Sequence, residues 1–282
     1  MHSSPHQLLI EPIVRAALLE DIGHGGDLTT DAIVPPDLAA SAQIVSRKPG
    51  VIAGIDAVRT TFTLLDPRTS VTMLVRDGER VQPGQPVAEI AAAARALLTG
   101  ERTALNIICR LSGIATATRR LVDLVEGYPA QIACTRKTTP GLRVLEKYAV
   151  RCGGGTNHRF GLDDAVLIKD NHLALAGTIA AAVHAVRRRV GHMVKVEVEV
   201  DTLDQLREAL ETPIDAVLLD NMTPKQLAQA VELAGGRVVT EASGTITPER
   251  VAEIARSGVD LISSGWLTHS APALDLGMDM PA

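Results

Sequence analysis

Between residues 131 and 262 short apolar runs alternate with helical stretches, and this alternation constrains the fold more than any other feature of the chain. The apolar runs fall at 131–134, 165–168, 193–200, 216–219, 237–239 and 259–262. Amphipathic segments lie between them, at 141–151, 174–189, 203–210, 224–234 and 248–256. Near-continuous apolar strands linked through helices form a parallel sheet whose faces the helices cover. Roughly six such units suit a barrel with fewer strands than the standard eight.

The first part of the chain has another rhythm. Leu8, Leu9, Ile13, Ala17 and Leu18 recur at helical spacing and predict a short amphipathic helix, interrupted near Pro12. GHGGDLTT, 23–30, predicts a loop. Strand-rich stretches at 42–53 and 71–90, with turn signals at Pro83-Gly84 and Gln85-Pro86, predict a small antiparallel unit. From 96 to 126 the pattern is helical, and Ser112-Gly113 predicts a break into two helices.

Composition narrows the function classes. Hydrophobic residues make up 46% of 282 positions, ample for a large core. Aromatics are only 2%, which argues against stacking platforms for single-stranded nucleic acid. A net charge of −5 argues against a general nucleic-acid surface, so positive charge serving an anionic ligand must be local. Cys109, Cys134 and Cys152 have no CxxC spacing and read as reduced thiols of a cytosolic protein. No run is long enough to span a bilayer, and the first residues lack a basic region followed by an apolar one, so no signal peptide is expected. The expected location is cytoplasmic, with no membrane and no nucleic acid as partner.

In such barrels, ligand chemistry sits at the carboxyl ends of the strands. Here those ends read Arg136-Lys137, Lys169-Asp170, Glu199 with Asp201, Asp220-Asn221, Glu241 to Gly244, and Ser263 to Gly265. Together with the loop pair His158-Arg159, the cations suit carboxylates and phosphates: Arg grips bidentately and Lys acts as a movable point charge. Glu199, Asp201 and Asp220 could bind sugar hydroxyls, a divalent cation such as Mg²⁺, or a developing positive charge; they could equally pair the neighbouring cations. VEVEV, 196–200, turns Glu197 and Glu199 to one face and predicts an acidic lining. Ser243-Gly244-Thr245 and Gly265 stand in late strand-to-helix loops, where backbone N–H groups commonly hold a phosphate. Arg143, Lys147 and Arg151 recur at four-residue spacing and read as a solvated helix face.

Longer motifs then give a family resemblance. ERTALN (101–106), LSGIAT (111–116), TRKTTPGLR (135–143), KYAVRCGGGTNHR (147–159), LIKDNH (167–172), EVEVD (197–201), LLDN (218–221), EASG (241–244) and LTHS (267–270) occur in one order. With GDLTT (26–30), the chain resembles quinolinate phosphoribosyltransferase over nearly its whole length. The resemblance implies a type II phosphoribosyltransferase-like α/β fold: an incomplete α/β barrel behind an N-terminal α+β open-faced sandwich. The domains would be 1–112, joined by 271–282, and 113–270. It implies a homodimer with active sites completed across the interface. The family's reaction joins quinolinate to phosphoribosyl pyrophosphate with Mg²⁺, releasing pyrophosphate and CO₂ and giving nicotinate mononucleotide in de novo NAD synthesis.

Roles carry over where the motifs match. Arg136, His158, Arg159 and Lys169 would hold the quinolinate carboxylates, and Arg102 would reach the same substrate from the partner subunit. Lys137 would contact quinolinate or the pyrophosphate side. Glu199 and Asp220 would bind ribose hydroxyls, with or without Mg²⁺. Ser243, Gly244 and Gly265 would cradle the 5′-phosphate. Lys137, Lys169, Glu199 and Asp220 would form the catalytic set. Three positions depart from the family's pattern: Cys134 stands in place of Asp, Thr245 in place of a second Gly, and Trp266 in place of a small residue.

Other readings remain at this point. Lys169 at a strand end could be the amine of a Schiff-base lyase. A non-catalytic paralogue of the same fold, such as the molybdenum-associated pyrophosphorylase-like proteins, is a second. A pure binding module is a third, because the Gly-Pro hairpins resemble the lipoyl carrier sandwich; no lysine sits at a hairpin tip as a carrier needs.

Overall fold

A computed structural model describes residues 3–280; residues 1–2 and 281–282, which the sequence reading places in the N-terminal domain, lie outside the described residues. The chain begins with α1 (Gln7–Ile22), α2 (Leu28–Ile33), β1 (Ala39–Ser46), β2 (Gly50–Val51) and α3 (Ile55–Leu65). Next come β3 (Ser70–Met73), β4 (Arg80–Val81), β5 (Pro86–Ala93) and α4 (Ala94–Leu124). The alternating part holds β6 (Gln131–Ala133), α5 (Arg143–Cys152), β7 (Val166–Ile168), α6 (Asp170–Ala176), α7 (Ile179–Arg187) and β8 (Val196–Val200). It continues through α8 (Leu203–Leu210), β9 (Ala216–Asp220), α9 (Pro224–Ala234), β10 (Val239–Ser243), α10 (Pro248–Ala255) and β11 (Leu261–Ser263). The short helix α11 (Trp266–His269) and strand β12 (Leu276–Asp279) close the described chain.

Two compact units result. One holds the described residues up to Arg119, Thr138–Gly154 and those from Ser270 on; the other holds Arg120–Lys137 and Gly155–His269. The first unit carries an antiparallel sheet in the order β12-β1-β5-β3. One face of that sheet packs on helices: Ile44 and Ile90 share a core with Val58 and Phe62 of α3 and Leu97 and Ile108 of α4. The other face shows Ser41, Gln43, Thr72 and Glu89, which gives an open-faced sandwich. Alternation along β1 explains this, since neighbours in a strand point to opposite faces. Helix α5 belongs to this unit. Its buried Glu146 takes Arg110 Nη2 at 3.0 Å, and Tyr148 donates to Asp77 at 2.7 Å.

The second unit is a parallel sheet in the order β6-β11-β10-β9-β8-β7, with its edge strands β6 and β7 not paired to each other. This is the incomplete barrel expected from the alternation. Val196, Val198 and Val200 of β8 are fully buried, while Glu197 and Glu199 take the opposite face. Helices α8 and α9 begin at Thr202 and Thr223, each closing a reciprocal cap with a glutamine three residues on.

Several local expectations are corrected. Helix α1 runs on through Pro12. The carbonyl that loses its donor belongs to exposed Leu8, so water can take the bond. The expected loop at 23–30 ends in α2, whose cap is Asp27, accepting from Thr30 N–H at 3.0 Å. Helix α4 does not break at Ser112-Gly113. Ser112 Oγ bonds the Ala53 backbone, and a Cβ at Gly113 would lie 2.1 Å from the Pro272 carbonyl oxygen, so the small residues serve close packing. Helix α3 had no counterpart in the sequence reading. The stripe at Arg143, Lys147 and Arg151 is no solvated face: Lys147 is 1% exposed, Arg143 bonds Thr138 and Arg151 lies over the Tyr148 ring.

Candidate active site

The carboxyl ends of the parallel strands open into a cavity of about 820 Å³. That size is ordinary for a small-molecule site. Arg136, Lys137, His158, Arg159, Lys169, Glu199, Asp220, Ser243, Gly244 and Gly265 all line it. Arg102 lies elsewhere, exposed on α4 in the first unit.

Arg136 and Arg159 bring two guanidinium groups into the cavity. Arg159 Nη1 donates to the Ala165 carbonyl at 2.9 Å, but the buried Nε of Arg159 and the buried Nε of Arg136 have no hydrogen-bond partner. Burial, and then the neighbouring Arg136 charge, pull the Arg159 guanidinium below its usual pKa. Two partly buried cations that repel each other, each with a donor to spare, are stabilised by an anion that spans them.

His158 stands beside this pair with both ring nitrogens engaged. Nδ1 accepts the Arg159 backbone N–H at 2.7 Å, and Nε2 lies 2.9 Å from Glu197 Oε2 and 3.7 Å from Glu241 Oε1. A nitrogen that accepts carries no proton, so the ring proton sits on Nε2 and points at the acids. Glu197 and Glu241 are both buried beneath the rim. The VEVEV pattern predicts Glu197 and Glu199 as an acidic lining; of the two only Glu199 lines the cavity, joined by Glu241, which the sequence shows as a strand end and within EASG.

Across the rim, Lys169 Nζ meets Glu199 Oε2 at 3.0 Å. Asp220, at the end of β9, accepts from the Asn221 side chain at 2.7 Å. Lys137 reaches the cavity beside Gly265: a Cβ on Gly265 would come within 2.7 Å of the Lys137 stem. Thr268 Oγ1 fixes the Lys137 carbonyl at 2.8 Å. The loop after β10 is left-handed at two consecutive residues, Gly244 at φ 91° and Thr245 at φ 45°. Thr245 thus adopts a conformation that suits glycine, and bears its steric cost.

The cavity has further lining residues to which the sequence assigns no role. His269 comes from α11 and was visible only inside the LTHS motif. Ser263 is buried at the end of β11, with a hydroxyl that has no hydrogen-bond partner. The sequence reads Ser263 as one of the polar strand ends but assigns its hydroxyl no role.

A parallel α/β barrel with paired guanidinium groups, two rim carboxylates and a left-handed glycine turn defines an enzyme that handles anionic small molecules at its strand ends. Two family models cover almost all of it: quinolinate phosphoribosyl transferase, N-terminal domain, over residues 27–112, and the C-terminal domain of the same family over 114–279. The chain is 46% identical over 272 residues to the nicotinate-nucleotide pyrophosphorylase [carboxylating] of Mycobacterium leprae, covering 95% of each chain. It is 40% identical over 287 residues to the chloroplastic enzyme of that name from Arabidopsis thaliana, covering 95% of this chain and 82% of the relative. The nicotinate-nucleotide pyrophosphorylase structure from Francisella tularensis superposes with a TM-score of 0.94 at 39% identity, over 99% of this chain and 98% of that one. The chain belongs to the quinolinate phosphoribosyltransferase family.

Proposed function

We propose that the cavity grips quinolinate between Arg136, Arg159 and Lys169 and the phosphoribosyl donor along Lys137, Glu199, Asp220 and the turns at Ser243, Gly244 and Gly265. The family's activity is this chain's activity: carboxylating nicotinate-nucleotide pyrophosphorylase, in de novo NAD synthesis. The observation that carries the assignment of residues is the Arg136–Arg159 pair, two partly buried guanidinium groups with unused Nε donors. A ring bearing two adjacent carboxylates supplies the dianion such a pair calls for.

The chemistry follows from charge. The pyridine nitrogen of quinolinate forms a bond to C1′ of the ribose as the C1′–oxygen bond to pyrophosphate breaks. Positive charge grows on the ribose, and Glu199 and Asp220, held in place by Lys169 and Asn221, stabilise it without reorganising. Lys137 offsets charge on the departing pyrophosphate. The positively charged, alkylated ring nitrogen then stabilises the electron pair left on the adjacent ring carbon when its carboxylate departs as CO₂, and that carbon takes up a proton. No side chain forms a covalent bond to substrate. His158, with both nitrogens engaged by the protein, acts here by bracing Arg159 beside the bound carboxylate.

Glu199 and Asp220 offer hard carboxylate oxygens on the neighbouring strands β8 and β9, the donor type Mg²⁺ takes with several waters retained. The residues fit that ion, and they would hold it directly or through water, where it would supply charge against the pyrophosphate. The same proposal includes a homodimer, with Arg102 of one subunit entering the other's site, and cytoplasmic placement. Among the described residues, no helix is long and apolar enough to cross a membrane. The proposal also divides function between an N-terminal domain of 1–112 joined by 271–282 and a catalytic domain of 113–270, of which residues 113–119 and 138–154 pack in the first compact unit.

The test uses purified protein with quinolinate, phosphoribosyl pyrophosphate and Mg²⁺, following nicotinate mononucleotide and CO₂. The wild type turns over, and Arg136→Leu and Arg159→Leu lose quinolinate binding in calorimetry. Undiminished binding by both variants would overturn the residue assignment.

A further inference from the structure

Asp220 and the turn after β10 are assigned above to the ribose and the 5′-phosphate of one substrate. A single side chain, Asn221, touches both. It follows the last residue of β9, where Asp220 pairs in register with Ser243 of β10. At Asn221 the backbone turns left-handed, φ 53°, one of two non-glycine residues to do so among the described residues. The other is Thr245, on the facing loop. The turn lets Asn221 N–H donate to the Ser243 carbonyl at 3.0 Å, one bond beyond the strand ladder. It also swings the side-chain amide back, so that Nδ2 donates to Asp220 Oδ2 at 2.7 Å.

The other end of the same amide walls the phosphate turn. A Cβ built on Gly244 would lie 2.1 Å from Asn221 Oδ1 and 3.0 Å from Asn221 N. Asn221 therefore occupies the space that any side chain at position 244 would need. A glycine at 221 would meet the backbone requirement at no steric cost, yet the chain carries an asparagine there. Asparagine tolerates this conformation better than most residues, so the backbone alone is compatible with a plain turn role. The two side-chain relationships go beyond it.

We infer that Asn221 is a positioning residue: its amide orients the Asp220 carboxylate toward the ribose and holds it in register with the phosphate turn at Gly244. The inference rests on the reading of Asp220 and of Ser243-Gly244 given above. It assigns Asn221 to the phosphoribosyl half of the cavity, away from the Arg136–Arg159 pair. Losing the amide leaves the fold and the quinolinate side intact and loosens the grip on the donor.

Asn221→Gly tests this, because it keeps the left-handed backbone and removes only the amide. Expected is a rise of about tenfold in KM for phosphoribosyl pyrophosphate, the usual scale for a hydrogen bond to a charged group, with KM for quinolinate and the melting temperature nearly unchanged. Asn221→Asp keeps the size but replaces the donor by an acceptor, and is expected to lose at least as much. The double variant Asn221→Gly with Asp220→Asn is expected to be no worse than Asp220→Asn alone, since Asn221 acts through that carboxylate. A wild-type KM in Asn221→Gly beside a crippled Asp220→Asn overturns the inference and leaves the ribose reading standing. Multiplying effects in the double variant, or equal rises in both KM values, overturn it as well. An Asp220→Asn enzyme with unchanged KM overturns the ribose reading first, and this inference with it.

Discussion

Lys169 Nζ and Glu199 Oε2 lie 3.0 Å apart across the ends of β7 and β8, yet the lysine side chain is 47% exposed and the carboxylate only 15%. The pair therefore links a half-exposed cation to a largely buried acid. Partly exposed ion pairs contribute about 0–1 kcal/mol to stability. Their worth here is in holding both groups at the rim before substrate arrives. Lys169→Met is expected to lower kcat/KM by roughly 10² or more while the melting temperature moves by only about 2 °C. Steady-state kinetics beside thermal melts check this. A melt that falls steeply, with kinetics intact, would make the pair structural.

The Arg136–Arg159 pair predicts an opposite sign for stability. Burial and the neighbouring Arg136 charge depress the Arg159 pKa, so the two guanidinium groups by themselves carry unfavourable charge. Arg136→Leu removes one of the two charges and one unpartnered buried donor. The variant is expected to melt at or slightly above the wild-type temperature, while kcat/KM for quinolinate falls by roughly 10² to 10³. Parallel melts with and without quinolinate are the measurement: the ligand should raise the melting temperature of the wild type and leave that of the variant unmoved.

Thr245 is a second place where this chain accepts strain. At φ 45° a β-branched residue costs about 1–2 kcal/mol, and glycine would recover part of that against its own entropy of about 0.5–1 kcal/mol. Thr245→Gly is expected to be neutral to about 1 kcal/mol stabilising in chemical denaturation, and to bind phosphoribosyl pyrophosphate at least as well. Thr245→Val, which keeps the branch and loses the hydroxyl, should gain nothing. A destabilised Thr245→Gly would show that the threonine side chain itself holds the loop.

Much of this was legible in the chain because barrels repeat one physical unit. Each apolar run buries a strand, and each strand delivers its last polar residue to the same rim, so Arg136, Lys169, Glu199 and Asp220 could be read as neighbours without coordinates. What escaped depends on contacts between distant residues. Gly113 looks like a helix breaker until the Pro272 carbonyl is seen resting on it. Lys147 looks solvated by its spacing, but its helix packs into the first unit. Asn221 looks like a turn residue, and only the placement of Gly244 opposite gives its amide a task. The sequence motif places His158 at the substrate site, but its hydrogen bonds to the Arg159 backbone and to Glu197 need both partners in view.

The base of the barrel carries a pH dependence of its own. Asp215 sits between Lys195, the Val196 N–H and Arg187, at 2.9, 2.8 and 2.6 Å. Burial alone would raise its pKa, but these three partners outweigh it and bring it from 3.8 down to about 2. A carboxylate with a depressed folded-state pKa binds its proton more readily in the unfolded chain. Its stabilisation is therefore complete above the unfolded value and is lost as pH falls from about 4 through about 2. Asp215→Asn is expected to melt below the wild type at neutral pH, with the gap narrowing across that window. A gap that stays constant down to pH of about 2 would mean that the site acts through packing and not through charge.

The trans role given to Arg102 has a sharper signature than any single variant. Arg102→Ala and Lys169→Ala each disable every site of a pure dimer. If Arg102 serves the partner's site, a mixed dimer places both defects in one site and leaves the other intact. Random reassortment of equal amounts makes about half of the dimers mixed, so about a quarter of wild-type activity should return. If Arg102 acts within its own subunit, every site of the mixed dimer retains one defect and nothing returns. Unfolding and refolding the two variants together, with each refolded alone as control, measures the difference. Recovery near a quarter supports a shared site, and absence of recovery between two well-folded variants overturns it.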